Sequence, residues 1–270
     1  MHVIDSGGDN PPLVLLHAFP VDSRMWTAAG DPLAERFRVI TPDQRGLGAT
    51  PLDEGGRVPP PDLSVVARDV IGLLDELELD RVVLGGLSMG GYVAMALLAA
   101  APHRVAGLVL ADTRAAADGP EQRATRQAVA ERAETADTMD WLADSMLPNV
   151  LGATTRSDRR ELVTAVRGLI MGQPPEGVAW AQRAMAARPD NSALVRATEV
   201  PTLVVVGEED TLTPPATARE LADAMPHADL TVLPSAGHLS ALEVPDSFAA
   251  TLLGWWARSS GGASGYGHME

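Results

Sequence analysis

The sequence predicts an α/β fold: a mostly parallel, doubly wound sheet with a helical lid inserted before one of its last strands. Three observations carry this. Short apolar runs rich in β-branched residues recur along the chain, helical patterns separate them, and residues 115–199 show helical pattern with no strand run. Continuous apolar runs, unlike alternating ones, suit strands covered on both faces. Strand–helix alternation makes successive strands parallel and places helices on both faces of the sheet. A structureless loop as long as 115–199 does not fit inside a compact domain, so that stretch reads as a helical insertion.

The elements follow in order. Leu13–His17, after Pro11 and Pro12, is the first predicted strand, and Arg38–Thr41 is the next. Between them, Asp31 and Pro32 offer an N-cap and a first-turn proline for a short helix. Asp62 caps a helix in which Leu63, Val66, Val70, Leu74 and Leu77 recur at three- and four-residue steps. Val82–Gly85 and Val105–Ala111 are strands on either side of an alanine-rich helix. The insertion holds two long helical stretches, 121–147 and 159–171. Thr202–Gly207 and Leu230–Leu233 are the last strands, and Pro215–Met225 and Pro245–Arg258 the last helices. Residues 1–114 and 200–258 thus form the expected core domain and 115–199 the cap. The Gly/Ser-rich stretch 259–270 is an expected flexible tail.

Composition narrows the function classes. With 270 residues, 46% hydrophobic and 21% charged, the chain has enough apolar mass for one large core. A net charge of −15 and a pI of about 4.7 argue against nucleic acid or an anionic membrane surface as partner. The insertion is close to neutral, so the acidity belongs to the remainder. Every basic residue is arginine, which removes a Schiff-base lysine or a lysine base from consideration. Cysteine is absent, which excludes a disulfide, a thiolate nucleophile and a cysteine metal site. No basic segment followed by an apolar run opens the sequence, and no apolar stretch reaches the about 18 residues of a membrane span. A cytoplasmic location is the expectation. Neither a metal nor a cofactor is called for, and homo-oligomerisation stays open.

One motif carries chemistry. Gly86-Leu87-Ser88-Met89-Gly90 matches G-x-S-x-G between a predicted strand and a predicted helix. In that context the serine sits on a sharp turn, and the small flanking residues let strand and helix approach closely. A phosphate loop is the competing reading, but the glycines lack its phasing and its lysine. A serine hydroxyl needs a general base, and His238 lies just past the strand Leu230–Leu233. The histidine in turn needs an acid to hold its tautomer. Asp210 follows the strand Thr202–Gly207, and Asp112, after Val105–Ala111, is the alternative. The neighbouring Glu208 and Glu209 read as a solvated acidic turn.

The order Ser88, Asp210, His238 resembles that of α/β-hydrolases, and the likeness runs along nearly the whole chain. LLHAFP resembles that family's strand–HGxP loop, DQRGLGAT its D-x-R-G-x-G-x-S loop, GEEDTLTP its acid loop, and AGHLSALEVP its histidine loop. Within the family the chain is most similar to small lidded carboxylesterases and 3-oxoadipate enol-lactonases. It also resembles the cofactor-free haloperoxidases (perhydrolases). With only about a dozen residues before Leu13, seven strands are expected instead of the family's eight; the resemblance implies an oxyanion hole from the backbone N–H groups of Phe19 and Met89. It implies that His17 buttresses its loop and that Asp43 and Arg45 are structural. Ala18 departs from the family's glycine, which bears on the Phe19 geometry if that position needs positive φ. The expected reaction is hydrolysis of a small or medium carboxylic ester or lactone through an acyl-enzyme. Perhydrolysis, C–C hydrolysis or cyclisation at the same site, and a non-catalytic ligand-binding role, are the alternatives. Trp141, Met146 and Trp180 of the insertion are candidates for the substrate pocket. No positive cluster stands out as a carboxylate anchor, although Arg114 lies at the hinge of the insertion, so a neutral substrate is expected.

Overall fold

The computed structural model describes residues 1–53 and 55–261. Seven strands form one sheet in the order β1-β3-β2-β4-β5-β6-β7. They are β1 (Val3–Asp5), β2 (Pro12–Leu16), β3 (Arg38–Pro42), β4 (Val82–Leu87), β5 (Val105–Ala111), β6 (Thr202–Gly207) and β7 (Ala228–Leu233). All neighbours pair in parallel except β1, which runs antiparallel to β3. Six of the seven coincide with predicted strands. The seventh, β1, has no apolar run, and its Ile4 is exposed. Pairing with β3 and the Arg38–Asp5 ion pair, 2.6 Å, hold it at the sheet edge.

The strands near the centre are buried at every position of β4 and at nearly every position of β2 and β5, so both sheet faces are covered. Burial of a Leu or Val side chain is worth about 1.5–3 kcal/mol, which makes these runs the main determinant of the core. The helices that flank the sheet are α1 (Thr27–Leu33), α2 (Leu63–Glu76), α3 (Met89–Ala100), α10 (Pro215–Asp223), α11 (Ser240–Glu243) and α12 (Pro245–Gly261). Helix α1 packs on α12, and α2 on α3. Asp62 caps α2 as expected, its carboxylate accepting the Ser64 N–H at 2.8 Å.

Asp31 and Pro32 do not start a helix. Helix α1 begins at Thr27, straight after a 3-10 turn at Ser23–Trp26, and ends just beyond Pro32. Asp22 caps that 3-10 turn, its buried carboxylate accepting the Arg24 N–H at 3.1 Å, and α1 itself has no side-chain cap. Residues 115–199 hold α4 (Pro120–Thr135), α5 (Asp140–Val150), α6 (Ala153–Asp158), α7 (Arg160–Met171), α8 (Pro175–Ala187) and α9 (Ser192–Ala197), with no strand. The helical stretch 121–147 comprises two helices, broken between Thr135 and Asp140. Ser259–Gly261, assigned to the tail from the sequence, complete α12; the rest of that tail lies outside the described residues.

Candidate active site

The site is built at the C-terminal ends of four adjacent strands, β4 to β7. Ser88 ends β4 with φ 55° and ψ −111°, a left-handed conformation that costs a non-glycine residue energy. Several bonds hold it there. The Ser88 N–H donates to Ala111 O at 2.9 Å, and its carbonyl accepts the Gly91 N–H at 3.0 Å and the Thr113 hydroxyl at 2.9 Å. Two glycines make the turn possible. A Cβ on Gly86 would collide with the Gly90 backbone, and a Cβ on Gly90 with the Leu16 carbonyl.

Ser88 Oγ lies 2.8 Å from His238 Nε2, and His238 Nδ1 lies 2.8 Å from Asp210 Oδ2. His238 and Asp210 are both buried. Asp210 is fully engaged: its Oδ1 accepts the Leu212 N–H at 2.8 Å and the Thr213 N–H at 3.0 Å, and its Oδ2 accepts the Thr213 hydroxyl at 2.6 Å. Burial works against its charge, but the electrostatic pull of the adjacent His238 ring and these hydrogen bonds outweigh it, so the carboxyl sits below its ordinary range.

The carboxylate that His238 Nδ1 bonds is that of Asp210 and not that of Asp112. Asp112 projects from the end of β5, also at positive φ, and its Oδ1 accepts the Gly207 N–H at 2.8 Å. Its Oδ2 bonds the Ser240 hydroxyl. Burial, and then the negative charge of Asp210, push its carboxyl well above the ordinary value. Asp112 therefore ties the loop of Asp210 to the loop of His238. Two other carboxylates fasten the same loops to α6. Glu243 accepts the Gly237 N–H at 2.9 Å and the Gly152 N–H at 2.8 Å. Glu209 accepts the Thr154 N–H at 2.8 Å and the Thr154 hydroxyl at 2.5 Å. Of the two glutamates read as a solvated turn, only Glu208 is exposed.

Neither the Phe19 nor the Met89 N–H donates to an acceptor among the described residues. Ala18, on the Phe19 loop, has no positive φ, so its side chain is not strained there. Buried His17 supports the loop: its Nε2 accepts the Gln44 N–H at 2.9 Å, and its Nδ1 lies 2.9 Å from Ala18 O. Burial lowers its proton affinity, so it is neutral, with the proton on Nδ1. Asp43 accepts the backbone N–H groups of Ser23 and Ala49, both at 2.8 Å, and Arg45 pairs with Asp69 at 2.7 Å. These groups serve the loops.

A cavity of about 330 Å³ opens onto Ser88 and His238. Of the three pocket candidates, only Met146 lines it. Trp180 is buried and donates its indole N–H to Pro59 O at 2.8 Å. Trp141 lies under the Arg132 guanidinium, 4.3 Å from ring centroid to Cζ. Residue size marked both indoles; the helix face on which each falls decided otherwise. The lining also includes Tyr92, Arg114, Arg126 and Met185. A positive cluster does stand beside the site, contrary to the expectation, because folding brings α4 against the segment that follows β5. Among the described residues, no group of three or more His, Asp or Glu is arranged to hold a metal ion, and no helix is long and apolar enough to cross a membrane.

The model of the alpha/beta hydrolase family matches residues 13–251. The structure of a thermophilic esterase from Thermogutta terrifontis, with malate bound, superposes with a TM-score of 0.90 at 38% identity, covering 96% of this chain and 93% of that one. The enol-lactonase from Burkholderia xenovorans LB400 superposes with a TM-score of 0.85 at 31% identity, covering 95% and 96%. A Mycobacterium tuberculosis protein provisionally named a non-heme bromoperoxidase is 28% identical over 260 residues, which is 94% of this chain and 96% of that relative.

Proposed function

The chain belongs to the alpha/beta hydrolase family, and from that premise we propose that it is a serine hydrolase cleaving carboxylic esters or lactones through an acyl-enzyme. The observation that carries the reading is the unbroken line from Ser88 Oγ to His238 to Asp210, two contacts of 2.8 Å, on a strained turn facing a cavity. Ser88 Oγ attacks the carbonyl carbon while His238 Nε2 takes its proton. Asp210 holds the proton on Nδ1 and stabilises the imidazolium that forms. The carbonyl oxygen, now an oxyanion, accepts the N–H groups of Phe19 and Met89. One such donor is worth about 3–4 kcal/mol in the transition state. Collapse expels the alcohol oxygen, protonated by His238. Water then repeats the sequence on the acyl-serine and releases the acid. Helices α4–α9, residues 115–199, act as the lid of a core formed by 1–114 and 200–258.

The test is a panel of p-nitrophenyl esters of graded acyl length, with lactones beside it, run on the natural protein and on Ser88→Ala. Activity that falls to background in the variant supports the reading. Activity that survives equally in Ser88→Ala overturns it.

A further inference from the structure

The cavity at Ser88 is charged. Arg114 and Arg126 line it, and among the described residues no acidic side chain does. Behind the wall lies one buried carboxylate, Asp118, which faces three guanidiniums: Arg126 at 2.5 Å, Arg188 at 2.8 Å and Arg114 at 3.7 Å. Burial opposes its charge, but Arg188 and Arg126 outweigh it and hold the carboxyl below its ordinary range. One negative charge thus serves three positive ones.

The three arginines are not equivalent. Arg188 is buried, donates to Met185 O and Ala116 O, both at 3.0 Å, and stacks on Tyr92 at 4.0 Å. Arg126 donates to Asp118 and, at 3.1 Å, to Gln182 Oε1. Those two hold the wall together. Arg114 makes no hydrogen bond among the described residues, and its Nε is buried without a partner. Its side chain is 25% exposed, toward the cavity it lines. A partly desolvated guanidinium with open donors is costly unless an anion completes it. The planar fork suits a carboxylate, and apolar side chains such as Val129 and Met146 line the same cavity.

We propose that Arg114, with Arg126 beside it, anchors a carboxylate carried by the substrate. The ester or lactone cleaved at Ser88 is then an anion: a short dicarboxylate half-ester, or a lactone with a carboxylate side arm. This rests on the serine hydrolase reading for its reaction, though not for its binding.

The experiment pairs monoethyl adipate with ethyl hexanoate and monoethyl glutarate with ethyl pentanoate, following released ethanol. The natural protein should favour the half-esters in kcat/KM by roughly tenfold to a hundredfold. Arg114→Met should bring that ratio close to one, and Arg114→Lys, which keeps the charge but not the fork, should fall between. A purely structural Arg114 would lower both esters together and leave the ratio intact; that result, or no preference in the natural protein, overturns the proposal. Calorimetric titration of glutarate into Ser88→Ala separates the two readings. Binding that Arg114→Met abolishes in that background supports the anchor even if no ester is cleaved. Ester cleavage without glutarate binding leaves the hydrolase and removes the anchor.

Discussion

Replacing Asp112 by asparagine should stabilise the protein, and increasingly so as the pH rises. Asp112 is fully buried between Gly207 and Ser240, and burial, then the charge of Asp210, lift its carboxyl well above the ordinary 3.8. The native state therefore binds this proton more tightly than the unfolded chain does. The stability that comes with it is fully present below the unfolded value and is lost as pH climbs toward and through the folded one. Across that window the loss is about 1.4 kcal/mol per pH unit. Asparagine needs no proton. It keeps an oxygen for the Gly207 N–H, presents an amide to the Ser240 hydroxyl, and tolerates the φ of 46° at this position. Urea unfolding of both proteins at pH 5, 6, 7 and 8 should show the gap widening in favour of Asp112→Asn, then levelling once the natural carboxyl ionises. Asp112→Ala gives the opposite sign. It leaves two buried polar groups unpaired, at about 1–3 kcal/mol each. A gap that is independent of pH, or a natural protein more stable than Asp112→Asn throughout, would refute a carboxyl raised by burial at Asp112.

Two further outcomes concern the line through Ser88. Asp210→Asn should lower kcat about 10⁴-fold, as loss of the orienting acid does in serine hydrolases generally, with little change in the thermal midpoint; esterase kinetics beside a melting curve check both. Gly90→Ala pushes a methyl into the Leu16 carbonyl, at the start of the Phe19 loop. It should cost about 1–3 kcal/mol of stability and more than tenfold in kcat/KM, and natural-like activity would show that the loop has slack.

The three residues Ser88, Asp210 and His238 were legible because each follows its own strand, and parallel strands deliver their C-terminal ends to one edge. Asp112 was legible as an acid at that edge, but not in its role. It is in the folded chain that Thr213 and the turn at Asp210 aim one carboxylate at His238 while Ser240 occupies the other. Strand β1 escaped notice because its stability comes from β3 and Arg38, not from its own side chains. Trp141 and Trp180 were misplaced for a related reason. In short helices packed on several sides, large apolar residues do not reveal which face meets the cavity. The charge of the cavity was hidden likewise, since Arg114 and Arg126 meet only through the docking of α4.

The grip of Glu209 and Glu243 on the start of α6 bears on recombination between relatives. Residues 115–199 are joined covalently to the sheet at both ends, yet they are also riveted near their middle, at Gly152 and Thr154. A chimera that exchanges the whole segment inherits foreign backbone at that rivet while keeping these two glutamates. A crossover that spares residues 151–159 and swaps α4 together with α8, which pack on each other, leaves the rivet intact. Pocket walls could then be traded among family members without disturbing the loops that carry Asp210 and His238.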